Sequence, residues 1–151
     1  MAAGATPKLQ CCCSSQAAVS SGIVTALHHI ALGTRDVPQI AAFYRDVLEL
    51  RELQRHEHAD GSLRSVWLDL GSALLMIEHS EEPARHVVGI GAGPFLIALA
   101  ASREEQSRLA TKLVDAGCSL ESRTEWTLYS RDPDGNRIAL SAYQVPPWPA
   151  P

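Results

Sequence analysis

The sequence predicts an α+β fold in which two βαβββ modules pack together and their curved mixed sheets enclose a cavity. Two observations support this prediction. Strand and helix patterns occur twice in the same order, and the second set follows the first by 67 residues when position 96 is laid on position 29. One such module would leave a face of its sheet bare, whereas two can cover each other and leave a groove between them.

The first module is predicted at residues 24–80. It opens with a mostly apolar run at 26–32, which is typical of a strand buried on both faces. Asp36 is the expected N-cap of a helix with Pro38 in its first turn. That helix has one apolar stripe, formed by Ile40, Phe43, Tyr44, Val47 and Leu48. Three short strands follow, at residues 50–57, 63–70 and 73–79, the last two joined by Gly71-Ser72.

The second module is predicted at residues 94–143, after a glycine-containing linker at residues 81–93. Its first strand, at 95–100, is again apolar throughout. Ser102 and Glu105 predict a capping box, in which each side chain bonds the other residue's backbone N–H. The three strands that complete the module are expected at residues 119–124, 126–131 and 136–143, with Asp132-Pro133-Asp134-Gly135 as the turn between the last two.

The two modules together are expected to form one domain at residues 23–146, between a disordered tail at 1–22 and a proline-rich tail at 147–151. A net charge of −4 disfavours nucleic acids and anionic membranes as partners. No apolar run reaches the roughly 20 residues that span a bilayer. The adjacent Cys11, Cys12 and Cys13 do not resemble a disulfide framework, so a cytoplasmic location is expected, with a short N-terminal targeting peptide as the open alternative.

Two motifs at the ends of this duplicated pattern resemble a known family. The segment from His29 to Asp36, followed by Phe43-Tyr44-Arg45-Asp46-Val47-Leu48, is similar to the opening of the vicinal oxygen chelate fold, which glyoxalases, bleomycin-resistance proteins and extradiol dioxygenases share. The segment from Arg131 to Ile138 is similar to its closing hairpin. The resemblance covers roughly residues 24–143.

This resemblance implies four metal-ligand positions, one on the first and one on the last strand of each module. In this chain they are occupied by His29, Leu75, Leu96 and Ala139. One imidazole and three hydrocarbon side chains do not form a catalytic metal site, which takes about three protein ligands. We therefore expect no metal and no other cofactor.

The same alignment predicts a concave, largely apolar ligand pocket between the modules. Strand alternation places on its wall His29, Leu75, Ile77, Leu96, Ala98, Arg137, Ala139 and Ser141. Trp67 and Trp126, expected on the middle strands, are candidates for stacking on a planar ligand. The alternative is that these residues only pack a filled core or a dimer contact.

Three functions are compatible with this site. The first is a metal-independent protein that binds a hydrophobic or aromatic small molecule, as members of the bleomycin-resistance branch do. The second is a metal-free isomerase, epimerase or cyclase with His29 as general acid or base. The third is a non-catalytic scaffold. A homodimer is expected in each case, with side-by-side and module-exchanged arrangements both open.

Overall fold

The computed structural model describes residues 27–83, 88, 90 and 93–144. Three sequence predictions therefore lie outside the described residues: the disordered N-terminal tail with its three cysteines, the glycine-rich centre of the linker, and the proline-rich C-terminal tail. The structure bears on the two modules between them.

The first module has the predicted βαβββ order. Its elements are β1 (His29–Thr34), α1 (Val37–Ala42), β2 (Glu52–Glu57), β3 (Leu63–Asp69) and β4 (Leu74–His79). Asp36 caps α1 as predicted, because its Oδ1 accepts the Gln39 amide at 2.9 Å. The helix continues directly into a π-helical segment at Phe43–Val47. The sheet order is β1-β4-β3-β2, with β1 parallel to β4 and the other pairs antiparallel.

The second module repeats this arrangement. Its elements are β5 (Ile97–Ala100), α2 (Arg103–Asp115), β6 (Leu120–Arg123), β7 (Thr127–Arg131) and β8 (Arg137–Ser141). Ser102 and Glu105 form the predicted capping box at the start of α2. The sheet order is β5-β8-β7-β6, with β5 parallel to β8. The α+β prediction of two βαβββ modules is confirmed.

The helices of the two modules contact each other, and one hydrophobic core joins them. The π-helical segment contacts α2, and each helix also covers one side of its own sheet. The Tyr44 hydroxyl donates to Asp132 Oδ2 at 3.0 Å, which ties the first module to the β7–β8 turn of the second. Lys112 of α2 donates to the Asp46 carbonyl oxygen at 2.7 Å. The helix-facing sides of both sheets are thus buried in a shared interior.

The other side of each sheet, which we call its outer face, is not covered in this way. Ala31 in β1 and Ala98 in β5 belong to these faces, and both are exposed. The expected cavity between the two sheets is therefore not formed within one chain, as far as the described residues extend. The shared core lies on the helix side of each sheet, so the two outer faces lie on its far sides.

No helix in the described part of the chain is long and apolar enough to span a membrane.

Candidate functional site

His29, the predicted catalytic candidate, lies on the outer face of the first sheet at the start of β1. Its neighbour across the parallel β1–β4 pair is Leu74, and the next pair along is Ala31 with Met76. His29 Nδ1 lies 2.8 Å from Nδ1 of His28, and the two rings meet edge to face with their centroids 5.1 Å apart. This contact fixes one nitrogen of the His29 ring and leaves Nε2 for a ligand.

Two of the predicted pocket residues, Leu75 and Ile77, do not lie on this face. The register pairs Leu75 with Ile30 and Ile77 with Leu32. Leu75 and Ile77 are both 0% exposed and lie beneath the helices. Side chains alternate along a strand, so the β4 residues that share the face of His29 are Leu74 and Met76. The family's β4 position on this face is therefore a different hydrocarbon side chain from the one predicted.

Trp67, also predicted in the pocket, lies at the centre of the outer face of the first sheet. It pairs with Met76 on one side and with Gln54 on the other. Its ring lies 4.9 Å from that of His56, centroid to centroid. Trp67 Nε1 and His56 Nε2 are both buried, and neither has a hydrogen-bond partner among the described residues. A buried indole N–H is costly to leave without an acceptor, so this face is incomplete as it stands in one chain.

The outer face of the second sheet contains the predicted residues Ala98, Ala139, Ser141 and Arg137. Leu96 directly precedes β5 and is half-buried. The face is built mainly from small side chains along β5 and β8. It therefore gives room to the larger residues of the neighbouring strands β6 and β7.

A charged group with one aromatic ring stands on those neighbouring strands. Arg137 and Arg131 pair directly across β8 and β7, and Glu121 in β6 accepts a hydrogen bond from the Nε atom of each. The Arg137 guanidinium lies over the ring of Tyr129 at 4.6 Å from its centroid. Burial opposes ionisation of Glu121, yet the hydrogen bonds from Arg131 and Arg137 bring its pKa below the usual value. Two cations face one carboxylate, so the group has a net positive charge.

Sequence reasoning placed Arg137 here but missed Glu121, and it gave His56 no role beside Trp67. A signal for Glu121 was present. It is an acidic residue in a short strand of a sheet whose next two strands each contain an arginine, the pattern of a cross-strand ion pair. His56 gave no comparable signal, because irregularities in the β2–β3 pairing set which residue it faces.

Trp126 lies outside both outer faces, contrary to prediction. It precedes β7, and its ring stacks with Arg103 at the start of α2, with the guanidinium carbon 4.6 Å from the ring centroid. Its backbone oxygen accepts the Gln106 side-chain amide at 2.7 Å. By alternation Trp126 has the same parity as Leu128, which is buried on the helix side. Trp126 belongs to the helix end of the second module.

A divalent metal does not fit the residues around His29. Its neighbours on this face, Leu74, Ala31 and Met76, offer neither imidazole nor carboxylate, so the adjacent His28 ring is the one further donor in contact with His29 among the described residues. In the part of the chain that the structure describes, no three His, Cys, Asp or Glu side chains are grouped so as to hold a metal ion. The side chains around His29 therefore do not supply the roughly three protein ligands of a catalytic metal site.

Several solved structures have a similar fold. A lactoylglutathione lyase from Agrobacterium tumefaciens is 22% identical with a TM-score of 0.57, covering 78% of this chain and 92% of its own. A variant of the fosfomycin resistance protein FosX from Listeria monocytogenes, solved with Mn(II) and 1S,2S-dihydroxypropylphosphonic acid, is 17% identical with a TM-score of 0.68, covering 82% and 96%. TioX from Micromonospora sp. ML1 is 19% identical with a TM-score of 0.58, covering 78% and 98%. At these identities the likeness concerns the fold alone.

No curated protein matches the chain significantly. A protein family does match it, over residues 26–140, and this range includes nearly all of both modules and the four positions at which the family has its metal ligands. The chain belongs to the glyoxalase/bleomycin resistance protein/dioxygenase superfamily.

Proposed function

We propose that this chain is a cytoplasmic, metal-independent protein that binds a hydrophobic or aromatic small molecule between two copies of itself. The observation that carries the proposal is the position of the outer faces. They hold His29, Trp67 and Arg137, yet they lie on the far sides of the shared core and are left open by the chain's own described residues. In the proposed dimer, the first sheet of one copy closes over the second sheet of the other.

The two outer faces correspond position by position, which supports such a closure. Across the middle of each face, one residue of each strand pairs with one residue of the next strand, and we call these four residues the middle row. In the first face they are Ala31, Met76, Trp67 and Gln54. The middle row of the second is Ala98, Ala139, Tyr129 and Ser122. Trp67 and Tyr129 therefore hold equivalent places. A twofold dimer that exchanges modules would set an aromatic ring at the centre of each wall of the cavity.

The first test is a thermal-shift screen of the purified protein with aromatic and aliphatic metabolites and with divalent metals. A compound that binds only the folded dimer raises the melting temperature, and the rise grows with the ratio of its concentration to its dissociation constant. We expect aromatic compounds to raise it. The shift should disappear in Trp67→Ala and persist in Trp126→Ala, a matched tryptophan outside both outer faces. The reverse pattern, or a screen in which no compound raises the melting temperature, would contradict the proposal.

A second candidate function is metal-free acid–base catalysis by His29, and the His28–His29 contact favours it. A ring held through Nδ1 presents Nε2 in a defined direction, as an acid or base in an isomerase, epimerase or cyclase must. Once a ligand is known, His29→Ala should abolish its turnover and leave its binding within a few fold. His58→Ala, at an exposed histidine after β2, is the control. Unchanged turnover in His29→Ala leaves binding as the function.

A further inference from the structure

We propose that the ligand is a planar aromatic compound with an anionic group, which is bound by Arg137 and Arg131 of the second module. This inference rests on the proposed function, because it assigns a ligand class to the site between two copies. It is carried by the charged group on the outer face of the second sheet and by the aromatic residues at the centres of both faces.

The geometry of the arginines favours an anion. Glu121 accepts from Nε of both, and Arg131 also donates through one terminal nitrogen to the Gly135 carbonyl at 2.6 Å. The terminal nitrogens of Arg137 make no hydrogen bond to any described residue. Glu121 thus holds both guanidiniums from one side, and the side chains of Arg131 and Arg137 are only 21% and 18% exposed. Both guanidiniums still have N–H groups that can donate to a ligand. A planar carboxylate matches a guanidinium donor pair.

The aromatic part of the inference comes from Trp67 and Tyr129. Each is the largest side chain in the middle row of its face, and the rows meet when the two sheets close over each other. A flat ring between them would stack on both. Arg137 already lies over Tyr129, so an acidic group on that ring would reach the guanidinium beside the stack. The Trp67 N–H, which lacks a partner among the described residues, would donate a hydrogen bond to an oxygen of the ligand.

The test is calorimetric titration of the full-length protein with three probes: 2-naphthoate, the neutral 2-naphthalenemethanol with the same ring system, and the smaller, non-aromatic cyclohexanecarboxylate. We expect 2-naphthoate to bind at least about tenfold more tightly than the neutral probe, the typical effect of one charge-assisted hydrogen bond. It should also bind more tightly than cyclohexanecarboxylate, which has the carboxylate but no aromatic ring to stack on Trp67 and Tyr129. Raising the salt concentration should reduce the difference in affinity between 2-naphthoate and the neutral probe, because salt screens the attraction between the carboxylate and the arginines.

The arginine is tested with matched variants. Arg137→Gln should reduce the preference for 2-naphthoate over 2-naphthalenemethanol, since only Arg131 remains to bind the carboxylate, and Arg137→Lys should keep more of it. Arg103→Gln should leave the preference intact, because Arg103 makes the same 4.6 Å cation–π contact with a ring outside both faces. A preference that survives Arg137→Gln and Arg137→Lys unchanged would overturn the assignment.

Failure of this inference differs from failure of the proposed function. Equal affinity for 2-naphthoate and 2-naphthalenemethanol would overturn the anionic class, and equal affinity for cyclohexanecarboxylate would overturn the aromatic one. Absence of binding by 2-naphthoate at millimolar concentration would overturn the ligand class altogether. In each case the comparison of Trp67→Ala with Trp126→Ala in the metabolite screen decides separately whether a site between the modules exists.

Discussion

At the scale of single residues, the hydrogen bond between Tyr44 and Asp132 joins the two modules in the protein interior. Both side chains are buried, at 0% and 4% exposure, and the hydroxyl donates to the carboxylate at 3.0 Å. Burial raises the pKa of Asp132, while donors on Asn136 and Tyr44 oppose that shift without cancelling it. A buried carboxyl group with a raised pKa makes the stability of the fold depend on pH.

The sign of this dependence follows from linkage. Because Asp132 has a higher pKa folded than unfolded, its contribution is fully present below its ordinary value near 3.8 and is lost as the pH rises through the folded value. Tyr44→Phe removes a donor to the carboxylate and should lower the free energy of unfolding by about 1–2 kcal/mol. The loss should be larger at pH 8 than at pH 4, since the hydroxyl favours the ionised form.

Urea unfolding at the two pH values measures this effect. The control is Tyr129→Phe, which removes a hydroxyl from the outer face of the second sheet, where no described residue hydrogen-bonds to it, and should change the stability little. Equal losses for the two variants would show that the bond between the modules contributes nothing particular.

Residue-scale prediction from the sequence succeeded where a position follows from alternation within one strand. Arg137, Ala139 and Ser141 share one outer face because they are two residues apart in β8. Alternation within one strand does not reveal a role that depends on a partner from another strand. Glu121 acquires its role only beside Arg131 and Arg137. Their meeting depends on how β6, β7 and β8 are aligned with one another, which the composition of the strands does not reveal.

At the scale of elements, the register between β1 and β4 decides which side chains surround His29. A period of two tells which β4 residues share a face with one another, but it does not say which of the two sets faces the same way as His29. All residues from Leu74 to Ile77 are apolar, so hydrophobicity does not distinguish the two sets of alternating β4 residues. The sequence alignment placed Leu75 there, whereas the structure has Leu74 and Met76.

Two neighbouring substitutions test this register. Leu75→Glu places a carboxylate at a position that is 0% exposed beneath the helix and should destabilise the protein by about 4 kcal/mol or more. Leu74→Glu changes the outer face and should cost no more than about 1 kcal/mol. Chemical denaturation of both variants measures the difference. Comparable destabilisation by the two would mean that the strand is rotated or shifted from its position here.

At the scale of the whole molecule, the sequence predicted two modules but not the way in which they meet. Apolar residues on both faces of β1 and β5 indicated that both faces need cover. They did not indicate whether the second cover comes from the same chain or from another copy, since either would bury the same side chains. The contacts of Tyr44 and Lys112 with the other module show that the helix sides meet within the chain.

The proposed metal independence is also a property of the whole molecule, because the family positions come from both modules. The purified protein should contain no stoichiometric zinc, nickel, iron or manganese, and a chelator should leave its melting temperature unchanged. The reason is the donor set: the strand neighbours of His29 are hydrocarbon side chains, and among the described residues only the adjacent His28 adds a second nitrogen. Elemental analysis with unfolding before and after chelation checks both statements. One tightly held equivalent of metal would contradict them.

The central claim is that each binding site is shared between two copies of the chain, and subunit mixing tests it most directly. Trp67→Ala damages only the wall from the first module, and Tyr129→Ala damages only the wall from the second. The test compound is the one that the wild type binds most tightly, and a homodimer of either variant should bind it poorly. If the two variants are unfolded together and refolded as a mixture, half of the dimers should be mixed. Each mixed dimer would contain one intact site, so about a quarter of the wild-type binding capacity should return. If binding does not return, or if the wild type binds the compound as a monomer of 16.3 kDa, the site lies within one chain and the account is wrong.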